Sequence, residues 1–242
     1  MYTIKSIISK SLGLNLLEQQ RITWTRRQLS KVPPNSTIID IGAGEQYFKQ
    51  YCSHLQYTSQ DQGEYTGTGQ EGLHTGSWDV SDTQIICDAA SLPIASESYD
   101  AVLCTEVLEH ATKPIDIMHE ISRILKPGGT LILTVPVTSL THFAPHYYHT
   151  GFSKYFFQYY SSKFGLKIAE QEYVGGLADR TISQNISGKD RKYHQSKYNR
   201  LIWLLLSAII ILCASIQKKY ETRPMQELGP CGIMLKMTKC KH

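Results

Sequence analysis

Cysteine is present in this chain but never in a spaced pair. None of the six (Cys52, Cys87, Cys104, Cys213, Cys231 and Cys240) forms a Cys-x-x-Cys motif. That excludes a zinc ribbon and a thioredoxin-like redox site. Strong charge is lacking too: 25 basic against 21 acidic residues leave +4. With no basic stripe interleaved with aromatics, no nucleic-acid partner is expected. No Gly/Ser linker, charge block or low-complexity run divides the 242 residues, and no repeat at periods of roughly 20 to 50 residues is visible. One continuous domain over 1–242 is therefore expected. The N-terminus has no apolar signal core, so a reducing cytoplasm fits the scattered thiols. No Gly-x-x-x-x-Gly-Lys-Ser/Thr occurs, which excludes a Walker phosphate loop. What excess charge exists is local: Lys5, Lys10, Arg21, Arg26, Arg27 and Lys31 face the single acid Glu18.

The rest of the chain alternates two periodicities. Residues 4–30 carry apolar positions at helical spacing up to Pro33-Pro34, giving N-terminal helices over 1–34. Five short apolar or β-branched runs follow: Thr37–Ile41, Leu55–Asp61, Gln84–Asp88, Tyr99–Cys104 and Leu131–Val135. Helices are predicted at 45–53 and 114–125, the second ending at Lys126-Pro127-Gly128-Gly129. Residues 62–82, rich in Gly, Thr and Ser, read as an exposed loop, and Cys87 and Cys104 as small buried hydrophobes. Two more strands are predicted at Leu166–Glu170 and Gly232–Met237. Continuous apolar strands alternating with helices mark a parallel sheet covered on both faces. The expected fold is α/β: a Rossmann-like, doubly wound, seven-stranded and mostly parallel sheet. Its last strand is antiparallel and follows a helical insertion over 178–228. The core of that sheet spans 36–136, and a loop that the resemblance described below assigns to the acceptor side spans 137–160.

In such a sheet, ligands bind beyond the carboxyl ends of the strands. Here those ends carry Asp40, Asp61 and Asp88, with Glu106 just after the fourth. A carboxylate at a buried edge must be paired or solvated, so a ligand bearing hydroxyl and amine donors is implied. Gly42-Ala43-Gly44 lets the backbone approach that ligand closely. Asp61 lies 21 positions after Asp40, where an acid accepts from ribose hydroxyls. A dinucleotide loop would need Gly at position 47, which is Tyr47. A nucleoside cofactor without a pyrophosphate fits better, and a nicotinamide-dependent oxidoreductase is disfavoured.

Four segments then carry a resemblance. They are Ile38–Gly44, Cys87-Asp88-Ala89 with Leu92-Pro93, Tyr99–His110, and Leu125–Leu131. In this order they resemble the class I S-adenosylmethionine-dependent methyltransferases, in particular the type 11 group. The resemblance implies an enzyme that takes S-adenosylmethionine and methylates a small-molecule, glycan or lipid-linked acceptor, with O-methylation favoured. It implies that Asp40, Gly42 and Gly44 form the turn beside the methionine moiety and that Asp61 holds the ribose. It also implies that Asp88 and the backbone of Ala89 meet adenine, while Cys104, Thr105 and Glu106 line the sulfonium end. One departure stands out: Gln46 replaces the family's usual third glycine. That is the one feature favouring a non-catalytic cofactor-binding scaffold or sensor as the alternative.

Residues 141–152 pack His142, His146 and His149 among four aromatics on the side that the resemblance assigns to the acceptor. His142 or His146 is the candidate general base. Pro145 interrupts a regular helix there, so no metal site is expected from the three histidines. Glu109-His110 reads as pocket structure rather than catalysis.

The insertion holds the longest apolar run, Leu201–Ile216, flanked by Lys197, Arg200, Lys218 and Lys219. Sixteen residues rise about 24 Å, short of a bilayer core of roughly 30 Å. One crossing would also strand the last β-segment on the far side. Three placements stay open: a buried cap, a helix dipping into a membrane face, or a dimer helix. The second, through 201–216, would make the chain peripheral to the inner membrane face.

Overall fold

The computed structural model describes residues 14–65, 78–187 and 196–241. The chain forms two compact units. One comprises Arg21–Glu172 and the stretch from Ile233 onward; the other comprises Tyr173–Gly232 with the N-terminal stretch up to Gln20.

The first described helix, α1 (Leu14–Leu29), ends in Arg26 and Arg27, cations suited to a helix C-terminus. The part of the expected N-terminal helices over 1–13 lies outside the described residues. The strands are β1 (Thr37–Ile41), β2 (Gln56–Asp61), β3 (Ile85–Ile86), β4 (Tyr99–Thr105), β5 (Leu125–Pro136), β6 (Leu166–Val174) and β7 (Gly232–Lys239). They form one seven-stranded sheet in the order β3-β2-β1-β4-β5-β7-β6. Strand β1 pairs in parallel with β2 on one side and with β4 on the other: Ile39 opposes both Thr58 and Val102. Order thus reverses at β1, whose carboxyl end is the topological switch point. The last strand is antiparallel. Cys231 N–H donates to the Val174 carbonyl and Cys240 N–H to the Gly165 carbonyl, both at 2.8 Å. Partner numbers therefore climb on β7 while they fall on β6.

Ile38, Ile39 and Ile41 of β1, Ala101–Cys104 of β4 and Leu131–Leu133 of β5 are wholly buried. Helix α2 (Pro114–Ile124) opens with Pro at its first turn and buries Ile117, Met118, Ile121 and Ile124. Each such side chain contributes about 1.5–3 kcal/mol of burial. Helix α3 (Lys154–Lys163) starts at Ser153, whose hydroxyl accepts from Phe156 N–H.

Local structure departs from expectation at three places. The helix predicted at 45–53 is a single 3₁₀ stretch, Tyr47–Tyr51. Gln46 before it sits in the left-handed region (φ 57°, ψ 40°), which no α-helix continues. Lys126–Gly129 does not follow the helix as a loop but forms the start of β5, with a register shift between Tyr99 and Ala101. Gly128 accommodates it at φ 81°. Cys104 is buried as expected, but Cys87 is only half-buried.

The smaller unit holds α4 (Leu177–Ser187), α5 (Lys197–Lys218) and α6 (Arg223–Leu228). The Ser196 hydroxyl accepts from Asn199 N–H at 3.1 Å and caps α5. Lys218 pairs with Asp179. At 22 residues, α5 is about 33 Å long, longer than the apolar run alone suggests. Its window Leu201–Lys218 is long and apolar enough to cross a membrane. The buried-cap placement does not hold: only 11% of that window is buried, and Leu205, Ile209 and Leu212 are about 60% exposed.

Candidate functional site

The carboxyl end of β1 turns through Gly42 (φ 66°) and Gly44 (φ 49°), conformations that suit glycine. A β-carbon on Gly42 would strike the Val107 side chain, and one on Gly44 the Trp78 indole. The turn is pinned by β2. Ala43 N–H donates to the Gln60 carbonyl at 2.9 Å, and Gln60 Nε2 donates on to the Cys87 carbonyl at 2.7 Å. Gly44 N–H donates to Asp61 Oδ2 at 2.9 Å, and Gly63 N–H to Asp61 Oδ1 at 2.9 Å. Asp61 thus joins the ends of β1 and β2 while half-exposed. Gln46 adopts a glycine-like backbone without a glycine, and its Nε2 donates to the Asp82 carbonyl at 2.9 Å.

Asp40 is almost wholly buried and accepts from the Tyr57 hydroxyl at 2.8 Å. Burial pushes its carboxyl up from 3.8 to about 7 against the lowering effect of that hydrogen bond, with Asp61 adding a smaller upward push. Asp88, at the end of β3, is exposed and accepts from Ala90 N–H at 2.9 Å, while Ala89 is buried. At the end of β4, Cys104 has no exposed surface, and burial holds its thiol protonated. Glu106 (φ 54°) accepts from the Thr134 hydroxyl at 2.9 Å and pairs with Arg21. Nothing local in the sequence announced that pair, since its members lie 85 residues apart.

Phe143 ties the cofactor-side turn to the histidines. Its ring stacks on Tyr65 at 4.1 Å, meets Trp78 at 5.0 Å and lies 4.6 Å from His110. Trp78 is the indole that covers Gly44. It belongs to the stretch read as an exposed loop, of which 66–77 lies outside the described residues. His110 in turn meets His142 edge-on at 4.7 Å. His142 and His146 are therefore both in the cluster, His146 through its carbonyl, 2.6 Å from His110 Nδ1. Burial drives His110 down from 6.5 to about 4 despite that hydrogen bond, so its ring is neutral.

The sequence makes Glu109 a part of the pocket structure, yet its environment is unusual. Its side chain is 1% exposed, and neither carboxylate oxygen accepts a hydrogen bond. Burial first, and the charge of Glu106 second, raise its carboxyl well above the usual range. Its backbone carbonyl receives Tyr148 and His149 N–H, both at 3.1 Å, fixing the aromatic loop to the end of β4.

Comparison with known proteins places this geometry. A family profile described as a methyltransferase domain matches residues 39–133. A methyltransferase of Mycobacterium sp. (strain KMS) is 28% identical over 123 residues, covering 46% of this chain and 46% of its own. A ubiquinone biosynthesis O-methyltransferase of Stutzerimonas stutzeri (strain A1501) is 26% identical over 124 residues, covering 50% of this chain and 52% of its own. The match spans about half the length of these relatives. Among solved structures, a SAM-dependent methyltransferase from Archaeoglobus fulgidus superposes with a TM-score of 0.56 at 13% identity, covering 92% of this chain and 94% of its own. At that identity the likeness speaks for the fold.

Proposed function

We propose that this chain, a member of the class I S-adenosylmethionine-dependent methyltransferases of the type 11 group, moves a methyl group onto a hydroxyl of a glycan, lipid-linked or other small-molecule acceptor. The observation that carries the reading is the Asp61 carboxylate, held by Gly44 N–H at the switch point of the sheet. The residues fit the cofactor. Asp61 keeps lone pairs for ribose hydroxyls, Asp88 beside buried Ala89 suits the adenine amino group, and the Gly42–Gly44 turn admits close backbone approach. Thr105 and Glu106 complete that end, while Asp40 and Cys104, which have almost no exposed surface, lie behind it. When bound, S-adenosylmethionine supplies a methyl carbon already activated by positive sulfur.

The protein's share is alignment and exclusion of water. Phe143, Tyr65 and Trp78 provide the apolar wall. On taking the methyl group, the acceptor hydroxyl would give up its proton to a base held by the chain. His142 and His146 are the candidates for it. The O-methyltransferase among the relatives supports a hydroxyl acceptor. Saturable calorimetric binding of S-adenosylhomocysteine to the full chain is expected; no binding at millimolar ligand would overturn the reading in favour of a closed, non-catalytic scaffold.

The acceptor is met at the cytoplasmic face of a membrane, with α5 lying in the interface. Its Leu205, Ile209 and Leu212 are exposed, exposed Lys218, Lys219 and Arg223 follow in the chain, and no acid lies between Lys197 and Lys218. Vesicles containing phosphatidylglycerol should carry the protein upward in flotation at low salt, and Leu205→Ser with Ile209→Ser should abolish this. Protein that stays unbound, or dimerises through α5 instead, refutes the placement.

A further inference from the structure

We propose that Glu109, His110 and His142 form a binding site for one divalent transition metal of the zinc class. A carboxylate oxygen of Glu109 and one nitrogen from each ring lie within 4.8 Å of one another. The tautomers follow from the backbone. His110 Nδ1 is 2.6 Å from the His146 carbonyl and His142 Nδ1 is 2.8 Å from the Leu140 carbonyl. A carbonyl only accepts, so both Nδ1 atoms carry the proton and both Nε2 atoms present lone pairs. Histidines that ligate metals are oriented in this way, with the second ring nitrogen donating to a backbone oxygen or carboxylate.

The third member is Glu109, whose buried oxygens accept no hydrogen bond and whose Oε1 lies 3.7 Å from His110 Nε2. Two imidazoles and a carboxylate meet there, and a divalent cation is complementary to all three. Tetrahedral ligand atoms at about 2.0–2.2 Å from zinc sit roughly 3.3–3.6 Å apart, so the ligand atoms close in by up to about 1.5 Å on binding. Two imidazoles select zinc-class metals over magnesium or calcium. This departs from the sequence expectation, which considered His142, His146 and His149 and assigned no metal. The ligand set instead takes Glu109 and His110 from the segment after β4.

Three protein ligands leave a fourth position open, as in catalytic rather than structural zinc sites. Resting on the proposed function, that position takes the acceptor hydroxyl and lowers its pKa. His142 then acts as a ligand, and His146 or solvent receives the proton.

The full chain, stripped with EDTA, is titrated with zinc chloride by calorimetry, and again with cobalt(II) to read the ligand-field absorption of a low-symmetry site. One equivalent of zinc is expected. Glu109→Gln and His142→Ala should each weaken it by at least about tenfold. His119→Ala, an exposed histidine outside the cluster, should bind as wild type. His142 lies on the half-exposed loop, so that variant decides the outcome if Glu109→Gln fails to fold. No zinc uptake, or uptake that survives in both variants, overturns the site. S-adenosylhomocysteine binding without zinc overturns the metal alone; zinc without S-adenosylhomocysteine binding overturns the methyl-transfer reading alone.

Discussion

Asp61→Ala should raise the Kd for S-adenosylhomocysteine on the order of 100-fold. A hydrogen bond to a charged group is worth about 1.5–3 kcal/mol, and each 1.4 kcal/mol is tenfold in affinity. The carboxylate does two jobs. On the proposed reading it keeps lone pairs for a ribose, and it already accepts from Gly44 and Gly63 N–H at 2.9 Å each. Truncation removes the ligand contact and frees both backbone donors, so the turn loses its brace. Asp61→Asn keeps the volume and one acceptor oxygen, and should fall between wild type and alanine. Calorimetry at constant salt measures all three. Equal affinities for wild type and Asp61→Ala would mean that the ribose lies elsewhere, and the assignment of the β1–β2 crevice would fail.

The second large effect is on stability. In the folded chain the Asp40 carboxyl is raised from 3.8 to about 7. Between those values the folded state binds a proton that the unfolded state has lost. Stability from this group is therefore fully present below about pH 4 and drains away as pH rises to about 7. Three pKa units correspond to a ceiling on the order of 4 kcal/mol. Asp40→Asn stays neutral throughout and still offers Tyr57 an acceptor oxygen. Denaturant melts should give matching stabilities near pH 4 and a more stable variant at pH 8. Parallel pH profiles for the two proteins would show that Asp40 is ionised at no cost, and that its burial is compensated by a partner other than Tyr57.

The sheet was legible because its strands are short, continuous and punctuated. In Thr37–Ile41 the only charged residue is Asp40, and the run ends at a glycine turn that marks a strand-to-loop transition. Leu166 and Gly232 likewise start strands where the apolar runs begin. That Asp61 and Asp88 would fall at strand ends was legible for the same reason. Gln46 was not: its left-handed backbone is a property of the whole loop, which side-chain identity argued against. The Glu109–His110–His142 cluster joins residues 32 and 33 positions apart through an irregular loop, so no periodicity could reveal it. Arg21 shows the same limit. On a helical pattern it is one more exposed cation, yet it pairs with Glu106 after β4.

The register of β6 and β7 has a practical consequence for protein engineering. Because Cys231 N–H meets the Val174 carbonyl at 2.8 Å, the chain leaves and re-enters the sheet at adjacent points. Everything between those two residues is a cassette with a narrow neck. A two-residue Asn-Gly hairpin spans such a neck. The helical segment can then be cut out, or exchanged for another of different polarity, while the seven strands keep their order. The exposed apolar helix thereby becomes separable from the strand ends that carry Asp61 and Asp88, one genetic module for each.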